Sequence, residues 1–234
     1  MDLLAEKLGR VEGGRILDVA TGRGSFVETL TETIGSFIEV VGIDTSAENI
    51  ETAKKKFDNG KVRFEVMDAS AMTFPDESFD TVTVANSLHH FSQVEPILDE
   101  MKRVLKPGGL FLIFEMFHDN LAERQLAHVE LHHWWAEIDK LTGVVHNQTL
   151  VRQEIVQFAE NLGLTDMEMF DYIEDRPAPP ETIKELLIAC DRYIAKTADN
   201  QAYRRLLEQG HRLKKRLAGG DFYWATELCI LGRK

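Results

Sequence analysis

Three aspartates, Asp18, Asp44 and Asp68, each follow a short apolar run in the first third of the chain. Residues 16–25 read Ile-Leu-Asp-Val-Ala-Thr-Gly-Arg-Gly-Ser, an apolar run ending in an acid and then a turn with two glycines. Gly22 and Gly24 let backbone come close to a ligand, because a Cβ there would collide with it or force a strained φ. A dinucleotide site would ask for Gly-x-Gly-x-x-Gly, with the third glycine packing helix on strand. Val27 occupies that third position, and a carboxylate ahead of the turn repels a pyrophosphate but suits a cation. Asp44 lies about twenty residues beyond the loop, where an acid commonly receives ribose hydroxyls, in a nicotinamide dinucleotide as in other nucleosides.

These residues need strands to carry them and helices to follow. Strand-like runs at Ile16–Val19, Phe37–Ile43, Val62–Val66, Phe79–Ala85 and from Leu110 alternate with helical stretches through residues 14–116. That is the pattern of a parallel sheet with helices on both faces. A helix opens at Ser25 or Phe26, and Ser46 reads as the N-cap of another that runs to about Phe57. Pro107-Gly108-Gly109 stops a helix at Lys106 and starts a strand at Leu110. Short helices are expected at Asp2–Leu8 and Leu150–Asn161, and a long one over Asn120–Leu141. Met167–Ile173 reads as a strand, Glu181–Lys196 and Gln201–Leu217 as a helical pair, and Phe222–Leu231 as a final alternating strand.

The strand, loop and acid at 16–25 resemble the first motif of the class I S-adenosylmethionine-dependent methyltransferases, with Ala20 where that family usually has its first glycine. Asn86-Ser-Leu-His-His-Phe after the fourth run, and Arg103-Val-Leu-Lys-Pro-Gly-Gly-Leu-Phe-Leu-Ile-Phe, resemble its later motifs. The spelling Phe74-Pro-Asp-Glu-Ser-Phe-Asp80 is similar to the subgroup that includes the ubiquinone and menaquinone C-methyltransferases. The resemblance implies an α/β, Rossmann-like doubly wound sheet, mostly parallel with an antiparallel final strand. It implies S-adenosyl-L-methionine as cofactor and methyl transfer to a small-molecule acceptor by in-line displacement. On that reading Thr21, Gly22 and Gly24 form the loop with Ala20, and Asp18 orders the methionine end. Asp44 with Thr45 takes the ribose, Asp68 with Ala69 takes the adenine, and Asn86 lies near the sulfonium. Ser70 adds a contact beside Asp68. His89, just past the fourth strand, is the candidate general base, since an imidazole titrates near neutrality. A non-catalytic S-adenosylmethionine-binding module is the alternative, and an NAD-dependent oxidoreductase a weaker one.

Residues 1–234 read as one domain, with helical insertions at 117–149 and 176–219 forming a lid over the ligand mouth. Five histidines fall between His118 and His146. His128 and His132, four apart, share a helix face. With Glu130, Asp119 or His146 they have the spacing of a metal site, but the plainer reading is a half-polar helix exposing histidines, and no metal is assigned. Of Trp134 and Trp135, one belongs to the core and one to an interface. Tyr203–Arg216 carries six cations against Glu208, a solvated face unless it borders the cleft.

The formal net charge of −12 argues against nucleic acid as the acceptor. No apolar run approaches the ~20 residues of a membrane span, and the first residues lack a signal-peptide pattern. Cys190 and Cys229 offer neither a disulfide framework nor zinc spacing. A cytoplasmic protein is expected, with a possible homodimer through the lid helices.

Overall fold

The computed structural model describes residues 3–57, 60–220 and 222–234. Seven strands form one sheet: β1 (Arg15–Val19), β2 (Glu39–Asp44), β3 (Val62–Val66), β4 (Phe79–Ala85), β5 (Leu105–Met116), β6 (Thr165–Tyr172) and β7 (Glu227–Arg233). Their order is β3-β2-β1-β4-β5-β7-β6. The first five strands run parallel, and β7 lies antiparallel to both β5 and β6. This is the Rossmann-like class I topology, with its order reversing beside β1, where open α/β sheets bind ligands.

The parallel strands are short and apolar because both of their faces are covered. Successive side chains point to opposite faces. Leu17, Val19 and Val41 join a core with α4 (Val94–Val104) and α6 (Arg152–Asn161). Ile16 and Val40 join a second core with α1 (Leu3–Leu8), α2 (Ser25–Thr33) and α3 (Ala47–Lys54). Asp2, expected in the leading helix, lies outside the described residues.

Three further helices, α5 (Leu126–Leu141), α7 (Pro180–Ala195) and α8 (Tyr203–Ala218), share a third core that includes Leu131, Trp134, Ile194 and Leu213. Trp134 is buried and its Nε1 donates to the Leu206 carbonyl at 3.1 Å. Trp135 stacks on Tyr193 with ring centroids 5.4 Å apart. Both cysteines are free and buried.

The close approach of α5 and α8 depends on Gly210. A Cβ at Gly210 would sit 2.8 Å from the Trp134 indole and 2.9 Å from Ile194. Alanine normally improves a helix interior over glycine by about 1 kcal/mol. Here Gly210→Ala is expected to destabilise the fold by about 1–2 kcal/mol, because the rigid indole must shift in a packed core. Urea unfolding followed by tryptophan fluorescence reads this directly.

Some boundaries differ from those the sequence predicts. β5 begins at Leu105 instead of Leu110, since Leu105 already pairs with Phe79 before a register shift. α5 opens at Leu126, after a 3-10 turn at Glu123–Gln125, instead of near Asn120. The final strand starts at Glu227 and not at Phe222. Phe222 and Trp224 leave the sheet to pack against the three-helix core.

Candidate functional site

The carboxyl ends of β1, β2, β3 and β4 open onto a cavity of ≈ 980 Å³. Asp18 sits in register with Gly42 and Thr83, and Asp44 closes β2. Asp68 lies two residues past β3. All three aspartates line this cavity. Ala20, Thr21 and Gly22 line it from the β1–α2 loop, and Thr45, Ala69 and Asn86 line it from the other strand ends.

The loop is tied down from beneath. Thr21 N donates to the Ile43 carbonyl and Gly24 N to the Thr21 carbonyl, each at 2.9 Å. Gly22 N donates to Asp44 Oδ2 at 2.9 Å, and Ser46 N to Asp44 Oδ1 at 2.8 Å. Asp44 thus shapes the loop as well as facing the cavity. Ser46 caps α3, its Oγ accepting from Asn49 N at 3.2 Å. Gly22 has φ +54° and open space where a Cβ would be, so a ligand can approach its backbone. Gly24 differs: its φ is +80°, and a Cβ would meet Phe57, Phe64 and Ala53. Gly24 serves the turn and the packing of α2, and does not line the cavity. Ala20 adopts φ +54°, a left-handed conformation that suits the glycine the resembled family usually has there.

Asp18 is buried. Its Oδ1 accepts from the Thr83 hydroxyl at 2.7 Å. Its Oδ2 and the Thr21 hydroxyl are buried with no hydrogen-bond partner among the described residues. Burial pushes the Asp18 carboxyl up to about 6, against the lowering effect of the Thr83 hydroxyl. An unpaired buried carboxylate oxygen on a cavity wall fits a cationic hydrogen-bond donor. Asp68 Oδ1 accepts from the Ser70 amide and hydroxyl, both at 2.8 Å, which holds its carboxyl below the usual range. Ser70 is engaged there and does not line the cavity.

Asn86 occupies φ +46°, which asparagine tolerates. Its Oδ1 accepts from Met116 N at 2.9 Å, and its Nδ2 donates to Glu227 Oε1 at 2.5 Å. Glu227 also lines the cavity, and burial pushes its carboxyl up to about 8. Sequence reasoning missed Glu227; its only signal is an acid at the head of the last apolar strand.

His89 does not line the cavity. Its side chain is fully buried away from the cavity wall, with Nδ1 2.6 Å from Glu115 Oε1. That position does not suit a base reaching an acceptor in the cavity. His90 lines the wall instead, with His128 and His132 from α5. α5 does not expose its histidines as a solvated face would. His128 Nδ1 accepts from Ala225 N at 3.0 Å, and His132 packs against Trp135. Glu130 pairs with Arg216, and Asp119 accepts from Arg152 N, so neither joins His128 and His132 in a metal cluster. No residue of α7 or α8 lines the cavity. The basic run on α8 is partly consumed between helices, with Arg205 on Glu137, Lys214 on Asp191 and Arg216 on Glu130.

Topology, the strand-end acids and the loop together define the Rossmann-like class I architecture. Residues 17–113 match the methyltransferase-domain family. The chain is 38% identical over 114 residues to a ubiquinone/menaquinone biosynthesis C-methyltransferase of Stutzerimonas stutzeri, covering 47% of this chain and 44% of that protein. It is 39% identical over 117 residues to a demethylmenaquinone methyltransferase of Thermus thermophilus, covering 49% of this chain and 51% of the relative. The match thus spans about half the length of these curated relatives. Among solved structures, it resembles phosphoethanolamine N-methyltransferase 2 of Haemonchus contortus bound to S-adenosylhomocysteine, with TM-score 0.58 and 19% identity over 99% of this chain and 51% of that one. It equally resembles the [4+2]-cyclase SpnF, with TM-score 0.63 and 18% identity over 99% of this chain and 78% of the other. The shared fold therefore leaves the reaction to be argued from the site.

Proposed function

We propose that this protein is an S-adenosyl-L-methionine-dependent methyltransferase acting on a small-molecule acceptor by in-line displacement. One observation carries the reading: three successive parallel strands present Asp18, Asp44 and Asp68 to a single cavity. The unpaired oxygen of Asp18 suits the ammonium of the methionine end, and Asp44 and Thr45 the ribose. Asp68 and Ala69 suit the adenine, and Asn86 stands by the sulfonium. The bound cofactor supplies an electrophilic methyl group on a positive sulfur. The leaving thioether is neutral, so the protein has no departing anion to stabilise. Its work is to position the acceptor and exclude water.

The acceptor's space lies beyond Asn86, between His90, His128, Trp224, Tyr172 and Glu227. An aromatic, partly acidic wall suits a planar or cationic organic acceptor. The helical layer acts as the lid, with α5 and Val144–Val145 touching the cavity and α7–α8 bracing α5 from behind. No helix among the described residues is long and apolar enough to cross a membrane. The free cysteines support a reducing, cytoplasmic setting.

Isothermal titration with S-adenosylhomocysteine is the test. One equivalent binding in the micromolar range is expected. Absence of heat with both this compound and S-adenosylmethionine, from folded protein, ends the proposal. Binding of both without methyl transfer to any acceptor favours the non-catalytic module.

A further inference from the structure

Beside the cavity, three histidines from separate segments meet. His89 lies on the 3-10 turn after β4, His132 on α5, and His146 on the loop after α5. Their ring centroids are 5.7 Å (His89–His132), 5.6 Å (His89–His146) and 6.4 Å (His132–His146) apart. One ring nitrogen from each lies within 4.8 Å of those of the other two. His89 Nε2, His132 Nδ1 and His146 Nε2 are all buried without a hydrogen-bond partner among the described residues. The His89 and His146 side chains are themselves almost wholly buried, at 0% and 4% exposure.

Carboxylates hold two of the rings from behind. Glu115 Oε1 lies 2.6 Å from His89 Nδ1, and Asp139 Oδ2 lies 2.9 Å from His146 Nδ1. A carboxylate accepts, so each Nδ1 carries a proton, and in the neutral ring each Nε2 is then the atom free to ligate. Each carboxylate is fixed in turn. Glu115 Oε2 accepts from Ser87 N and Leu88 N, both at 2.9 Å. Asp139 accepts from Lys196 Nζ at 2.8 Å and the Tyr193 hydroxyl at 3.1 Å. This carboxylate–histidine pairing is how proteins orient imidazoles toward a metal. Packing alone accounts poorly for it, because three buried ring nitrogens are left without a hydrogen-bond partner among the described residues.

We infer that His89, His132 and His146 form a binding site for a divalent transition-metal ion, with Zn²⁺ as the best-matched occupant. Three neutral imidazoles suit zinc, cobalt or nickel and not the oxygen-seeking calcium or magnesium. Metal–nitrogen bonds of about 2.0–2.1 Å require the rings to rotate slightly toward one another. Three protein ligands leave a fourth position, the pattern of catalytic more than of structural zinc. His132 is the one of the three that lines the cavity, so the fourth position would be reached from that side. An acceptor bearing an ionisable thiol or hydroxyl would bind there through its anionic sulfur or oxygen, with its proton released to water. The metal site stands on the histidine geometry alone; its role toward an acceptor rests on the methyltransferase reading.

The test uses tag-free, full-length protein stripped with a chelator. Zn²⁺ is titrated calorimetrically, and Co²⁺ is followed by the visible absorption of a tetrahedral site. Circular dichroism checks folding, and S-adenosylhomocysteine is titrated separately. One equivalent of Zn²⁺ with micromolar or tighter affinity is expected. His146→Ala should lose at least 100-fold in affinity and the cobalt spectrum with it. Asp139→Asn, which keeps all three ligands, should lose about 10- to 100-fold. Should His146→Ala fail to fold, His132→Gln gives the same reading. Folded wild-type protein that takes up no Zn²⁺ overturns the inference, as does a single-site affinity unchanged in the folded histidine variant. Zinc binding without S-adenosylhomocysteine binding removes only the cofactor reading, and the converse removes only the metal.

Discussion

Asp18→Asn is expected to bind S-adenosylhomocysteine about 10- to 100-fold more weakly than the parent at pH 7.5, because it removes one charge-assisted hydrogen bond worth about 1.5–3 kcal/mol. The shape of the site survives, since the asparagine oxygen still accepts from the Thr83 hydroxyl. Asp44 would be a poorer choice, because its carboxylate also holds the amides of Gly22 and Ser46. The pH dependence makes the test specific. Asp18 titrates at about 6 in the folded protein. Parent affinity should therefore fall as pH drops through 6, while the variant, with nothing to protonate there, should not follow it.

The same shift sets a stability change of the free protein. The carboxyl moves from 3.8 to about 6 on folding, chiefly through burial. Below pH 4 both states hold the proton and nothing is lost. As pH rises from 4 to 6, the unfolded chain releases it first, and folding loses about 3 kcal/mol. Asp18→Asn escapes that cost but buries amide hydrogens lacking partners, a penalty of about 1–3 kcal/mol. At pH 7 the variant should thus match or modestly exceed the parent in urea unfolding while binding worse. Equal affinity of parent and variant across pH 5–8 would show that Asp18 does not hold the cationic end of a ligand.

The strand-end acids were legible because each belongs to a short local pattern, a buried apolar run closed by an acid and then a turn. Parallel strands covered on both faces make such runs conspicuous. The boundary at Pro107 was not legible, since Leu105 enters the sheet by pairing with Phe79, a contact no local signal announces. The histidine cluster was legible only in part, for a related reason. The i,i+4 pair His128–His132 is visible along one helix, but the three rings that converge come from positions 89, 132 and 146. Only the return of α5 and its following loop over the end of β4 joins them. Glu227 and Glu115 are the same case. Each stands alone at the head of, or inside, an apolar strand, and the groups it serves, Asn86, Ser87, Leu88 and His89, lie on another segment.

Glu115→Ala is therefore expected to cost about 3–5 kcal/mol, since three buried donors lose their acceptor at about 1–3 kcal/mol each and the losses are not fully additive. Glu115 is wholly buried on β5 and serves three donors: the Ser87 amide, the Leu88 amide and His89 Nδ1. Alanine leaves all three unpaired in the interior and opens a void among them. Glu115→Gln separates these roles. Its amide oxygen can keep both backbone donors, while its NH₂ group meets His89 Nδ1 and disfavours a proton there. The His89 proton then shifts to Nε2, turning the inward lone pair into a donor. Glu115→Gln should cost only about 1 kcal/mol in urea unfolding, and nitrogen-15 imidazole shifts should report the changed tautomer. If Glu115→Ala unfolds within 1 kcal/mol of the parent, this carboxylate does not hold the turn after β4. The orientation of His89 must then come from packing alone.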